Sequence, residues 1–163
     1  MLVMNLQTTY LRILQDTLDK KQKILNQIYS LTRRQESILR GTSVQTESLD
    51  QCMDQKSECL EKLEELDDGF EMLYAKVREE LQNTPGSYKE EITKLKQSVN
   101  KVMELSISIQ ALEQRNKMAM ERYLLRHRKN IQGYRSSQKR VGTYYNTMTG
   151  FNPHQSFFLD KKK

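Results

Sequence analysis

The sequence predicts an all-α protein: an elongated antiparallel hairpin of long helices or a three-helix bundle, with coiled-coil-like packing and a flexible C-terminal tail. Apolar residues recur at three- and four-residue spacing from Asn5 to about Arg128, which is the period of one helix face. The pattern breaks only at residues 40–43 and 83–87, and such short connections make neighbouring helices antiparallel. Hydrophobic content is 36%, with no Trp and two Pro, as in long amphipathic helices with a narrow buried stripe.

The first helix is predicted over about residues 5–39, with Gly41 as its stop. The second is predicted over about residues 43–82 and has the most regular heptads, with Lys56 as the one charged break in the seam. Further apolar residues widen its stripe, which indicates contact with more than one neighbour: Met53, Leu60, Tyr74 and Leu81.

The two cysteines, Cys52 and Cys59, lie two turns apart on the second predicted helix. A rise of about 1.5 Å per residue places their Cα atoms too far apart for a disulfide. We therefore interpret them as small buried hydrophobic residues of a reducing compartment.

The third helix is predicted over about residues 87–131, after the break at Pro85 and Gly86. Beyond Leu112 its apolar stripe becomes mixed, with Glu113 and Asn116 near the seam. The apolar residues that follow either complete the bundle core or form an adaptable groove for an amphipathic helix: Met118, Met120, Tyr123 and Leu124.

The sequence thus divides into a helical bundle, residues 1–131, and a flexible, basic, aromatic-rich tail, residues 132–163. Residues 122–163 contain ten Lys or Arg and one acid, while the rest of the chain has 17 basic and 20 acidic residues. We expect little fixed structure in the isolated tail, because Gly133, Gly142 and Gly150 interrupt it. Its seven large apolar residues nevertheless predict that it docks, either on its own body or on a partner.

No motif for catalysis, phosphate binding or metal binding is present, so we predict neither an enzyme nor a cofactor, and no small-molecule substrate. The acids between Glu64 and Asp68 point around a helix rather than converge, which indicates a solvated face. No apolar window approaches the length of a membrane span and no signal peptide is recognised, so we expect no membrane insertion.

Two other binding functions are open to such a chain. The heptads of the second predicted helix suit a structural coiled-coil adaptor, and they leave a homodimer open. The basic, tyrosine-containing tail suits nucleic acid, but the mildly acidic body and the lack of a recognised nucleic-acid-binding motif disfavour that partner.

Three stretches carry a resemblance to a known family. They are residues 47–67 in the second predicted helix, residues 105–116 (LSISIQALEQRN) in the third, and residues 141–150 (VGTYYNTMTG) in the tail. With them, the chain resembles the FlgN-like flagellar export chaperones, and the related FliT-type chaperones are similar. The ending at residues 157–163 (FFLDKKK) resembles tails of flagellar chaperones of clostridial type, although Phe151 and Phe157–Phe158 depart from the family pattern.

The resemblance implies a cytoplasmic chaperone that binds the amphipathic C-terminal helices of hook-associated (hook–filament junction) proteins. It would prevent their premature assembly and deliver them to the flagellar export gate. The resemblance places the grip in the C-terminal segment, and we expect the partner-binding residues to be Met118, Met120, Tyr123, Leu124, Arg126, Arg128, Ile131, Tyr134, Arg135, Val141, Tyr144 and Tyr145. The arginines among them would complement acidic groups on the cargo or on the gate.

Overall fold

The computed structural model describes residues 2–83, 86 and 88–149, with side chains described over residues 9–78, 86 and 88–148. It has four helices in this part of the chain: α1 (Leu2–Arg40), α2 (Thr46–Asn83), α3 (Lys89–His127) and α4 (Tyr134–Thr149). The predicted all-α class is confirmed. A helix of 39 residues spans about 58 Å at 1.5 Å per residue, so the three long helices give an elongated body.

The helices are not packed equally against one another. Helix α1 packs against both α2 and α3, and α4 also packs against α2 and α3. Within the described residues, no Cα atom of α2 lies within 8 Å of a Cα atom of α3. Helices α2 and α3 therefore flank α1 and leave a groove between them, and α4 occupies part of this groove.

Two apolar clusters stabilise the rod at different positions along its length. The larger core joins all four helices, and its buried members include Leu25, Ile28, Met53, Leu60, Leu63, Ile109, Met120, Leu124, Val141, Tyr144 and Tyr145. The smaller core lies toward the other end and joins α1, α2 and α3 only, through Leu11, Leu14, Leu18, Tyr74, Val77, Leu95 and Val99. Helix α4 therefore covers one end of the rod.

The structure differs from the expectation of an unstructured tail over Tyr134–Thr149, because these residues form α4. Gly133, with φ +75, adopts the left-handed conformation that turns the chain after α3, and its carbonyl accepts the Ser137 amide at 3.0 Å. The buried positions Ser137, Val141, Tyr144 and Tyr145 recur at three- and four-residue spacing and therefore share one face. Phe151, Phe157 and Phe158, the aromatic residues of the tail that depart from the family pattern, lie outside the described residues.

Among the residues that the structure describes, no helix carries an apolar stretch long enough to cross a lipid bilayer.

Candidate partner-binding site

The structure divides the twelve residues predicted to bind a partner into two equal groups. Six are buried in the larger core, on the end of α3, the following turn and α4: Met120, Leu124, Ile131, Val141, Tyr144 and Tyr145. The other six lie at the surface of the same end of the rod. Met118, Arg126, Arg128 and Arg135 are exposed, whereas Tyr123 and Tyr134 are half-buried. The buried group is thus covered by the chain's own contacts.

Charged contacts hold the first half of α4 against α2. Asp50 accepts hydrogen bonds from the Ser137 hydroxyl and the Arg140 guanidinium, each at 3.1 Å. Arg140 also pairs with Asp54 at 3.1 Å. Ser137 contacts Asp50, and the later residue Arg140 reaches the later residue Asp54. The contacts therefore advance in the same direction along both helices, and α4 runs parallel to α2.

A buried ion pair lies beneath the second half of α4. The Lys56 Nζ atom of α2 lies 2.6 Å from a Glu113 carboxylate oxygen of α3, and both side chains are almost completely excluded from solvent. Lys56 also donates to the Gln35 amide oxygen of α1 at 2.5 Å. The pair therefore links the three long helices across the groove that separates α2 from α3.

Two tyrosines of α4 complete this arrangement. The Tyr144 hydroxyl donates to Glu113, and the Tyr145 hydroxyl accepts from the Gln35 amide at 3.1 Å. The Lys56 ammonium lies 4.3 Å from the centroid of the Tyr144 ring, within the range of a cation–π contact. We call these five residues the polar layer; all four helices contribute to it.

Burial changes the proton affinities within the polar layer. It lowers the pKa of Lys56, because the ammonium loses its hydration, and the Glu113 carboxylate opposes that shift. It raises the pKa of both tyrosines far above the usual value, and the adjacent Glu113 charge adds to the rise. The phenols therefore keep their protons at pH values where exposed tyrosines lose them.

We expect the free energy of unfolding to fall as the pH rises above about 10. The unfolded chain then loses the protons of Tyr144 and Tyr145 while the folded chain retains them, so each tyrosine contributes a loss of about 1.4 kcal/mol per pH unit. Tyr144→Phe should make this dependence shallower by about that amount. Urea unfolding at several pH values above about 10 measures the effect as the difference in slope between the two chains, since the contribution of Lys56 is common to both and cancels. Parallel slopes for Tyr144→Phe and the natural chain would contradict the prediction.

The surface beside α4 is strongly positive. Residues 122–149 contain seven Lys or Arg and no Asp or Glu. Arg140 is paired with Asp50 and Asp54, but within the described part of the chain the other six form no ion pair: Arg122, Arg126, Arg128, Lys129, Arg135 and Lys139. This end of the rod can therefore attract an acidic partner.

The sequence contained signals for the polar layer that we did not combine. Lys56 is the charged residue in an otherwise apolar heptad seam, and Glu113 and Asn116 interrupt the stripe of the third helix. Asn116 is also buried and donates to the Thr32 carbonyl of α1 at 2.8 Å. Opposite charges at buried positions of two helices pair because an isolated buried charge is very unfavourable. That rule would have predicted a contact between Lys56 and Glu113.

No arrangement for metal or redox chemistry is evident in the described residues. They contain no cluster of three or more His, Cys, Asp or Glu side chains able to hold a metal ion. Cys52 and Cys59 are buried and free, and burial raises the pKa of both thiols. The Cys52 thiol donates to the Leu31 carbonyl at 3.1 Å.

The chain was compared with families, curated proteins and solved structures. No curated protein and no solved structure matches it. The model of one family, described as FlgN protein, matches residues 4–148, which is nearly the whole chain and includes α4. Because the match covers the long helices together with the C-terminal segment that contains the candidate site, the chain belongs to the FlgN family and is a FlgN-like flagellar export chaperone.

Proposed function

We propose that this chain is a cytoplasmic chaperone that binds the amphipathic C-terminal helices of hook-associated proteins, prevents their premature assembly and delivers them to the export gate. The observation that carries the proposal is the groove between α2 and α3, which already holds an amphipathic helix, α4. A groove that accepts one such helix has the width and the apolar lining to accept another. The proposed role is binding, and it assigns no reaction to the chain.

In this proposal, cargo binding requires α4 to leave its place in the groove. Met120 and Leu124 would then be uncovered on α3, and Val141, Tyr144 and Tyr145 would be uncovered on α4. The cargo helix would be held between these two surfaces, with Met118, Tyr123, Ile131 and Tyr134 extending the contact. Arg126, Arg128 and Arg135 would pair with acidic groups of the cargo or of the gate.

Release of α4 has an energetic cost that suits a transient complex. The chain must break the contacts of Arg140 with α2 and uncover the polar layer before cargo can bind. The apparent affinity is therefore lower than the intrinsic affinity by the fraction of chains in which α4 is released. A chaperone that has to hand over its cargo benefits from this limit.

A direct binding measurement tests the proposal. Fluorescently labelled peptides that contain the C-terminal helix of each hook-associated protein of the host would be titrated with the full-length chain. We expect saturable binding of these peptides. Control peptides with the same composition in scrambled order should not bind. Failure of every hook-associated helix to bind, while the chain remains folded, would reject the proposed cargo.

Weakening the contact between α4 and α2 should tighten cargo binding. Replacing Asp50 and Asp54 together with Asn removes the carboxylates that pair with Arg140 but changes none of the twelve proposed binding residues. We expect the apparent dissociation constant for cargo to fall by about three- to tenfold, because two partly exposed ion pairs contribute up to about 1 kcal/mol each.

Asp67→Asn is the matched control for this change. It removes a carboxylate of the same helix that pairs with Lys21 at 2.6 Å, away from α4. Cargo affinity should stay the same in this control. Weaker cargo binding by the Asp50/Asp54 variant would show that docked α4 is the binding form.

A further inference from the structure

A second concave surface lies on the same end of the rod but does not involve α4. It is a cleft of about 680 Å³ between the connection from α1 to α2 and the last two turns of α3. Its walls include Leu39 of α1, Val44 of the connection and Tyr123 of α3. A cleft of this volume can receive a few residues of a peptide, and it is too small for a whole helix of the length of α4.

The cleft and the α4 groove use different faces of α3. Met120 and Leu124 are four residues apart, lie on the face toward the core and are buried. Ala119, Tyr123 and Arg126 line the cleft and lie on the adjacent face. A ligand in the cleft would therefore leave the contacts of Met120 and Leu124 with the core in place.

The polar lining of the cleft is positively charged. Arg122 and Arg126 are one turn apart on α3, both are exposed, and neither has an ion pair within the described residues. None of the thirteen residues that line the cleft is acidic. Two adjacent guanidinium groups without a carboxylate partner offer paired, planar donors to an anionic ligand.

Two contacts hold the Tyr123 side chain in place in the wall of the cleft. Its hydroxyl forms a hydrogen bond with the Thr46 hydroxyl at the start of α2, at 3.0 Å. Its ring lies against the His127 ring, with 5.0 Å between the centroids. These contacts hold an aromatic ring in the same lining as the two arginines, so the cleft combines a fixed apolar wall with basic side chains.

This combination favours an acidic peptide over a nucleic acid. One side of the Tyr123 ring is already occupied by His127, which limits stacking of a nucleobase. Residues 1–121 have 20 acidic and 17 basic residues, so the surface along the rod would repel the phosphates of a longer strand. An acidic peptide places carboxylates only where the arginines are, and its apolar side chain can contact Leu39 and Val44.

We propose that this cleft is a second partner-binding site that takes a short acidic peptide segment with an embedded apolar side chain. The carboxylates of the segment pair with Arg122 and Arg126, and the apolar side chain rests on Leu39, Val44 and Tyr123. The cleft shares Tyr123, Arg126 and Ile131 with the proposed cargo site. Its ligand does not require the release of α4, because the buried contacts of Met120, Leu124 and α4 stay in place.

Fluorescence anisotropy with the full-length chain tests the proposal. The probe is a short labelled peptide in which Glu residues flank a pair of Leu residues, and its matched control carries Gln in place of each Glu. We expect saturable binding of the Glu peptide and little binding of the Gln peptide. Equal binding of the two peptides, or no binding of either, would overturn the proposal.

Three variants locate the binding. R122Q/R126Q should weaken binding of the Glu peptide by about tenfold, as expected for two exposed ion pairs. Ala119→Phe changes no charge but fills the cleft, and it should also weaken binding. K129Q/K139Q removes the same charge from exposed positions outside the cleft and should leave the affinity within about twofold. An equal loss in R122Q/R126Q and K129Q/K139Q would mean general electrostatic attraction and would overturn the site.

Two controls make the outcome specific. The helical circular dichroism and melting temperature of the two charge variants should match those of the natural chain, because the substituted side chains are exposed. The same measurements on Ala119→Phe establish that this chain is folded. Oligo-dT is the competing probe. If it binds more tightly than the Glu peptide and displaces it, the cleft is part of a nucleic-acid surface and the peptide assignment is wrong. If the full-length chain binds the Glu peptide but binds none of the hook-associated helices, the proposed cargo is rejected and the cleft assignment stands.

Discussion

Replacing Lys56 with Met is expected to lower the free energy of unfolding by about 3 to 5 kcal/mol. The substitution keeps an unbranched side chain of similar length but leaves the Glu113 carboxylate buried without its cation. Lys56 is completely buried and makes its ion pair with Glu113 at 2.6 Å. The predicted loss comes from the unpaired charge that remains, since a buried ion pair itself adds little net stability.

Urea unfolding followed by circular dichroism measures this effect, with Lys62→Met as the matched control. Lys62 lies on the same helix and is exposed, so its substitution should change the free energy of unfolding by less than about 0.5 kcal/mol. Replacing Lys56 and Glu113 together with Met and Leu should recover part of the loss, because no charge is then buried without a partner. A Lys56→Met chain as stable as the Lys62→Met chain would show that Glu113 does not depend on Lys56.

Replacing Tyr144 and Tyr145 together with Ala is expected to weaken cargo binding by at least about 100-fold. Aromatic residues at the centre of an interface often contribute about 2 kcal/mol or more each, and the proposal places both rings against the cargo helix. The same substitution should release α4, because both rings are buried and both hydroxyls bond the polar layer. Released α4 would lose the protection of its amides from hydrogen exchange.

The comparison with the Asp50/Asp54 variant separates two roles of α4. Both variants loosen α4, but only the tyrosine variant removes proposed cargo contacts. If α4 only blocks the groove, both variants should bind cargo more tightly than the natural chain. Tyr10→Ala serves as the control, since Tyr10 packs against the smaller core at the other end of the rod and its loss should not alter cargo affinity.

The long helices could be predicted from the sequence because their signals are local. Three- and four-residue spacing of apolar residues identifies a helix wherever it is sustained over many turns, as in α1, α2 and α3. Breaks at Gly41 and around Pro85 separate these elements without any knowledge of their packing. All-α architecture therefore followed from periodicity alone.

Helix α4 could not be recognised in the same way because Val141 is the single aliphatic residue among the buried positions described in this helix. Its inward positions include Ser137, which bonds Asp50, and two tyrosines whose hydroxyls bond the polar layer. Hydropathy treats serine and tyrosine as weak signals, and Gly142 interrupts the segment. These residues are favourable inside only because groups on three other helices satisfy them, and that information is not local.

The candidate site shows the same limit. The sequence pointed to the end of the third helix and to the tail, and the structure brings these segments together. Burial of Met120, Leu124, Tyr144 and Tyr145 could not be predicted, because a stripe of Met and Tyr residues fits either a core or a groove. Only the position of α4 decides between these alternatives in the unliganded chain.

The spacing between α2 and α3 bears on how many different sequences this chaperone can hold. Because no Cα atom of α2 comes within 8 Å of α3 in the described residues, side chains set the separation of the two helices, and no backbone packing fixes it. Two of the buried side chains in this region, Met53 and Met120, are unbranched thioethers that adopt many conformations at low cost. Away from the Lys56–Glu113 pair, which joins the two helices directly, we expect α2 and α3 to widen or narrow around α1 as the bulk between them changes. We expect selectivity by hydrophobic pattern and charge, with broad tolerance of side-chain size.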